Sequence, residues 1–153
     1  MNKFYLWGLV AALAVMVNPV KGKDIGKLQP VSLLQVYLEN GNVVLETDTG
    51  DIGRGMKLTE ALENLQQTTS AEIFLETADF LLLTEETKCL LKELSGVLRP
   101  GTETFLIDAP VDGEAAAGYL ENHSMGSTIQ KLQSYNREMP RLKTFGERFR
   151  LEV

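Results

Sequence analysis

The spacing of apolar residues predicts a strand hairpin near the start of the polar part of the chain. Residues 31–38 have apolar side chains at both odd and even positions, as in a strand that is buried on both faces. The pair Asn40-Gly41 follows, which favours a tight hairpin turn, and residues 43–47 return as a second strand. Residues 47–55 contain three glycines and predict a loop.

Helical spacing then alternates with short apolar runs. Residues 57–67 place leucine and alanine on one helical face, which predicts a helix packed on the sheet. Residues 71–75 and 80–84 are strand-like, either as two strands or as one interrupted strand. Thr84 has the side chain of an N-cap, and the leucine spacing after it predicts a helix as far as residue 98.

The last third of the chain adds one strand, two helices and a candidate final strand. The strand is predicted at residues 104–109, a helix capped by Asp112 runs to residue 120, and a second helix covers residues 127–135. Residues 149–153 alternate apolar and charged side chains, as a half-buried strand does. The predicted order is β-β-α-β-α-β-α-α with that final strand. This indicates one α+β domain, a mixed β-sheet with helices packed on it.

An uncharged apolar run, residues 4–17, follows Lys3 at the N-terminus. As a helix it would be about 21 Å long, shorter than the bilayer hydrocarbon of about 30 Å, which favours a signal-peptide core. Val20 and Gly22 are small enough for signal peptidase, and cleavage after Gly22 would secrete the protein. An uncleaved signal anchor would hold it at a membrane. In both cases we expect an exported chain.

Charge separates the chain into a body and a tail. With residues 1–22 removed, thirteen basic residues remain against 21 acidic ones, a net charge of −8. Such a protein suits neither nucleic acid nor an anionic lipid surface. Residues 23–135 form the predicted α+β domain. Residues 136–153 are a basic tail that contains the candidate final strand and is either solvated or docked on a partner.

The polar loops offer weak candidates for binding sites. Asp48 and Asp51 lie three residues apart, but the EF-hand spacing is absent. The glycines at residues 50–55 fit neither a dinucleotide fingerprint nor a P-loop. We therefore expect a solvated loop rather than a calcium or phosphate site. His123 is expected in an exposed turn between two helices, and a ligand or pH-switch role is the alternative.

Reactive side chains are few. Cys89 is the only cysteine, which excludes a disulfide within the chain and any CxxC site, and we expect it on or beside a helix face. The carboxylates Glu72, Glu76 and Asp79 lie near the central strands, so a small hydrolase is the weakest alternative. The sequence assigns no catalytic, cofactor-binding or metal-binding residue, and the expected protein is not an enzyme.

Beyond these patterns, the exported chain resembles the N-terminal domain of the Ger(x)C family, the C subunits of spore germination receptors. The resemblance covers roughly residues 24–132. It consists of the lead into the first strand (DIGKLQPV, 24–31), the hairpin, a glycine with a helix that has a central Ala-Leu (55–65), an extended segment before an acidic helix start (71–86), and a strand with a short helix (103–120).

The resemblance implies a non-catalytic protein without a cofactor that assembles with membrane-embedded receptor subunits. Family members are lipoproteins with further domains, whereas this chain has no cysteine at its predicted cleavage point. We therefore expect a reduced relative, on the outer face of the cytoplasmic or spore inner membrane, with membrane contact through residues 1–22 if they are uncleaved. The alternative is a secreted or self-associating module of unknown ligand. The residues that would bind a partner stay unassigned.

Overall fold

The computed structural model describes residues 28–153, which form a mixed β-sheet, a separate strand pair and four α-helices. The predicted α+β class is confirmed, whereas the N-terminal apolar run and the cleavage position after Gly22 lie outside the described residues. The strands are β1 (Leu28–Pro30), β2 (Leu33–Glu39), β3 (Asn42–Thr47), β4 (Ile52–Gly55), β5 (Glu72–Phe74), β6 (Phe80–Leu83), β7 (Glu103–Leu106), β8 (Arg141–Phe145) and β9 (Arg148–Glu152). The helices are α1 (Leu58–Gln67), α2 (Leu91–Leu94), α3 (Gly113–Glu121) and α4 (Ile129–Tyr135).

The main sheet has seven strands in the order β4-β3-β2-β6-β7-β8-β9. Its centre is parallel, with β2 beside β6, β6 beside β7 and β7 beside β8. Antiparallel hairpins flank this centre, β2–β3–β4 on one side and β8–β9 on the other. β1 and β5 form a two-stranded parallel pair of their own.

Helices cover both faces of the sheet and divide the core into two clusters. β2 is buried on both faces, as its sequence predicted, because it contributes to both clusters. The cluster beneath α1, α2 and α4 includes Leu34, Val36, Leu65, Leu94 and Ile129. The cluster beneath α3 includes Leu33, Phe105, Ala116, Leu120 and Leu142.

Two locally encoded elements match the sequence prediction closely. Asn40 and Gly41, with φ of 52° and 80°, form the turn between β2 and β3, as the Asn-Gly pair predicts. Asp112 caps α3, because its carboxylate accepts the N–H of Ala115 at 3.0 Å.

The prediction of a loop through residues 47–55 was wrong at its end, because Ile52–Gly55 is strand β4. Its glycines let α1 approach closely. A Cβ placed on Gly53 would lie 2.3 Å from the carbonyl oxygen of Ala61. Several glycines in a sequence usually indicate a turn. Here, however, Gly53 allows strand β4 to pack directly against helix α1.

The segments that follow α1 also differ from the prediction. Residues 71–75 and 80–84 are two strands in different sheets, joined by a 3₁₀ turn at Leu75–Thr77. The long helix predicted after Thr84 is a 3₁₀ turn, Lys88–Leu90, followed by the short α2. The hydroxyl of Thr84 contacts that of Thr87 at 3.1 Å rather than capping a helix.

The basic C-terminal segment contributes two strands to the main sheet. The alternation at residues 149–153 predicted β9 correctly, but β8 was not predicted. Gly146, with φ of 63°, is the first residue of the two-residue turn between β8 and β9. A type II′ turn has glycine at this position. Within residues 28–153, no helix is long and apolar enough to cross a membrane.

Candidate interaction site

The acidic loop between β3 and β4 uses its carboxylates to hold its own backbone. Asp48 accepts the N–H groups of Ser32 and Leu33 at 3.1 and 3.2 Å, which fixes the start of β2. Asp51 accepts a 2.6 Å hydrogen bond from Gln29 and a 2.8 Å bond from Thr49. The two carboxylates therefore bind separate protein groups.

The other candidate residues lie apart on the surface. His123 follows α3, is exposed, and stacks on Tyr119 with 4.0 Å between ring centroids. Asp79 forms an ion pair with Arg99, and Glu72 and Glu76 are exposed. Over residues 28–153, no group of three or more His, Cys, Asp or Glu side chains is arranged to hold a metal ion.

Cys89 lies in the 3₁₀ turn just before α2, beside a helix as expected, but its side chain is exposed. Its thiol lies 3.6 Å from the carbonyl oxygen of Glu86, close to that exposed turn. The thiol is therefore at the surface and is not part of the core.

A cleft at the carboxyl ends of β6 and β7 is a concave surface that the sequence did not predict. Ligands of α/β sheets bind outside the carboxyl ends of parallel strands. Here Glu85 follows β6, and Arg141 begins β8 directly beside Leu106 at the end of β7. The cavity has a volume of about 320 Å³. We call it the charged cleft, and its lining residues are Glu85, Lys88, Leu106, Glu138, Met139, Arg141, Lys143, Glu152 and Val153.

Arg141 connects the wall of the charged cleft to two carboxylates. Its guanidinium forms an ion pair with Asp108 and lies 3.3 Å from Glu85. Lys88 also reaches Glu85, at 3.5 Å. These side chains come from three separate parts of the chain and fix one another's orientation. Because they are partly exposed, we expect each pair to contribute at most about 1 kcal/mol to folding.

A further ion pair in the charged cleft joins β8 and β9. Lys143 Nζ is 2.7 Å from Glu152 Oε2. The hydrogen bond from Lys143 lowers the pKa of the Glu152 carboxyl below its ordinary value. The ion pair holds the Glu152 carboxylate in position beside Lys143.

The floor of the charged cleft is apolar. Leu106 is buried there, Met139 is half-buried, and Val153 is 95% exposed at the mouth. An apolar centre with a polar rim is the usual anatomy of a protein–protein interface. The cleft can take an apolar side chain of a partner while its rim meets charges of both signs.

Sequence reasoning missed this site because it missed β8. The signal was present only in RLK, residues 141–143, where charged and apolar residues alternate shortly before Gly146. That alternation places Arg141 and Lys143 on the same face. It does not reveal that Glu85 and Asp108 meet them there.

Comparisons of the chain with protein-family models, with curated proteins and with solved structures find no significant match. The resemblance to the Ger(x)C family therefore stays a prediction from the sequence pattern.

Proposed function

We propose that this chain is an exported, non-catalytic envelope protein that acts by assembling with other proteins at a membrane, as a reduced relative of the germination-receptor C subunits. The charged cleft is the observation that carries the proposal. It combines an apolar floor with paired charges that are already oriented, so a partner can dock with little loss of side-chain freedom.

The charge pattern supports a protein partner. The rim carries Lys88, Arg141 and Lys143 together with Glu85, Glu138 and Glu152. A surface of one sign would attract any oppositely charged polymer. Alternating signs favour a partner whose own charges match in position, which is how interfaces gain specificity.

Cell fractionation tests the location, and photo-crosslinking tests the cleft. A tagged full-length copy should be recovered with the membrane fraction of a sporulating host, starting at Met1 if residues 1–22 are an anchor. A photoreactive amino acid in place of Lys88, at the cleft, should give an adduct with a membrane protein. The matched control places the photoreactive amino acid at Arg54, an exposed residue that pairs with Glu39 near the other edge of the sheet.

Each outcome of these experiments has a defined meaning. Recovery in the cytosol would contradict export. Recovery in the medium, starting at Lys23, would show cleavage after Gly22 and contradict assembly at a membrane. Adducts formed equally from Lys88 and Arg54 would show that the cleft is not the contact surface, even if the location is correct.

A further inference from the structure

The edge of the sheet at β9 is open. β9 pairs with β8 over five consecutive residue pairs, and no strand within residues 28–153 pairs with its other side. Native edge strands are usually protected by short length, charged side chains, proline or a bulge. Arg148–Glu152 has no proline and a continuous register, and its charged side chains are of both signs, so they can repel or attract an added strand according to its register.

The opposite edge of the sheet is less suited to pairing. β4 has four residues, two of which are glycines that lie against α1. Its Arg54 side chain is engaged with Glu39 at 3.4 Å. Of the two edge strands of the main sheet, β9 is the longer, with five residues against four.

The turn at Gly146 determines which groups of β9 face outward. In a two-residue hairpin the residues that flank the turn, Phe145 and Arg148, form a hydrogen-bonded pair, and such pairs recur at every second position. Arg150 and Glu152 are thus bonded to β8. The N–H and C=O groups of Phe149 and Leu151 point away from β8, towards a strand beyond the edge.

The side chains of β9 divide between the two faces of the sheet. Phe149 and Leu151 pack on the cluster beneath α3, where the Phe149 ring lies 5.6 Å from that of Tyr119. Arg150 lies on the other face and is exposed. Its cross-strand neighbour on β8 is Lys143, a like charge. The opposite charge that acts on Arg150 is Glu152 of its own strand, which also pairs with Lys143.

We propose that the occupant of this edge is a second copy of the chain, paired antiparallel to β9 about a twofold axis at Leu151. This register places Arg150 opposite Glu152 of the second copy, and Glu152 opposite its Arg150. On the other face it places Leu151 against Leu151 and Phe149 against Val153. The strand is therefore complementary to itself in charge and in apolar contact.

Charge selects this register over its neighbours. An axis at Arg150 would pair Arg148 with Glu152 twice but would set the two Arg150 side chains against each other, whereas the axis at Leu151 makes only opposite-charge pairs. An axis at Phe149 would set Arg148 against Arg150. With the axis at Leu151, the Arg–Glu pairs also occupy non-hydrogen-bonded positions, where opposing side chains approach most closely.

The interaction goes beyond assembly with envelope proteins, because its partner is the chain itself. Pairing of two five-residue edges is small beside the roughly 1,200–2,000 Å² of a stable interface. We therefore expect a Kd in the range of about 1–100 µM in solution. Confinement of both copies to a membrane would raise their effective concentration and favour the pair.

Charge reversal and mixing test the proposal. Each dimer contains two Arg150–Glu152 pairs, so Arg150→Glu alone creates two Glu–Glu pairs and Glu152→Arg alone creates two Arg–Arg pairs. Each variant should raise the dimer Kd of the full-length chain by roughly tenfold or more in sedimentation measurements in detergent. A mixture of the two variants restores both opposite-charge pairs and should return the Kd to within about threefold of the wild-type value.

Recovery on mixing separates this surface from loss of folding, since two misfolded variants would not rescue one another. The matched control, Arg54→Glu on the opposite edge, should leave the Kd unchanged. A wild-type chain that stays monomeric at every concentration would overturn the proposal. Dimers that resist both reversals, or variants that fail to recover on mixing, would also overturn it.

Discussion

The side chain of Gln35 forms two hydrogen bonds with the backbone of Val111, 76 residues further along the chain. Its Nε2 donates to the Val111 carbonyl at 2.8 Å, and its Oε1 accepts the Val111 N–H at 3.0 Å. Gln35 is fully buried in β2. The side-chain amide thus bonds to the Val111 backbone as a neighbouring strand would, and it holds the loop between β7 and α3 against the sheet.

Replacing Gln35 tests this link. Gln35→Leu removes both hydrogen bonds and leaves two backbone groups without their partner, so we expect it to lower the free energy of unfolding by roughly 2–3 kcal/mol. Urea titration measures the change. The control Gln133→Leu, on the exposed face of α4, should alter stability by less than about 0.5 kcal/mol. Equal effects of the two substitutions would contradict the proposed role.

Two buried threonines should respond differently to the same substitution. The Thr87 hydroxyl donates to the carbonyl of Val36 at 2.8 Å and accepts the Thr84 N–H at 3.0 Å. The Thr104 hydroxyl, by contrast, has no hydrogen-bond partner among residues 28–153. Thr87→Val should cost about 2 kcal/mol, because two groups lose their bonds. Thr104→Val should be neutral or stabilising, because it removes a desolvated polar atom. A comparable loss of thermal stability in both variants would contradict this contrast.

Two glycine-to-alanine substitutions should change the free energy of unfolding in opposite directions. A Cβ on Gly53 would meet the backbone of Ala61 and the Cβ of Leu65 within 2.5 Å, so Gly53→Ala should destabilise the protein by at least about 2 kcal/mol. Gly118 is exposed on α3, and a Cβ there would meet no other atom of the described residues within 4 Å. Gly118→Ala should therefore stabilise by about 0.5–1 kcal/mol. Chemical denaturation of both variants checks the prediction, which fails if Gly53→Ala is tolerated.

The ionisation of Tyr37 should make stability depend on alkaline pH. Burial, together with its 3.0 Å hydrogen bond to Glu46, raises the pKa of Tyr37 to about 12. The folded state thus favours the neutral phenol. The resulting stabilisation is complete below the ordinary pKa of about 10 and is lost as the pH rises through about 12.

The free energy of unfolding of the wild-type chain should therefore fall between pH 10 and 12, and in Tyr37→Phe that fall should be smaller by roughly 2 kcal/mol. The measurement is the unfolding free energy at several pH values in that window. Tyr135, which is 71% exposed, provides the control through Tyr135→Phe. If the two variants show the same slope against pH as the wild-type chain, the assignment to Tyr37 is wrong.

Sequence alone determined the features that depend on neighbours along the chain. The Asn40-Gly41 turn, the apolar face of α1 and the Asp112 cap each need only residues within a few positions of one another, and each was predicted. The α+β class followed because these local signals are numerous and agree with one another.

Tertiary structure alone decided which strands pair and which charged side chains meet. β4 is a strand because it pairs with β3, with Gly53 leaving room for α1, and β8 is a strand because β7 and β9 pair with it. The charged cleft likewise joins Glu85, Asp108 and Arg141, side chains that the chain separates widely. Such contacts depend on the path of the backbone between them, which the local spacing of apolar residues does not specify.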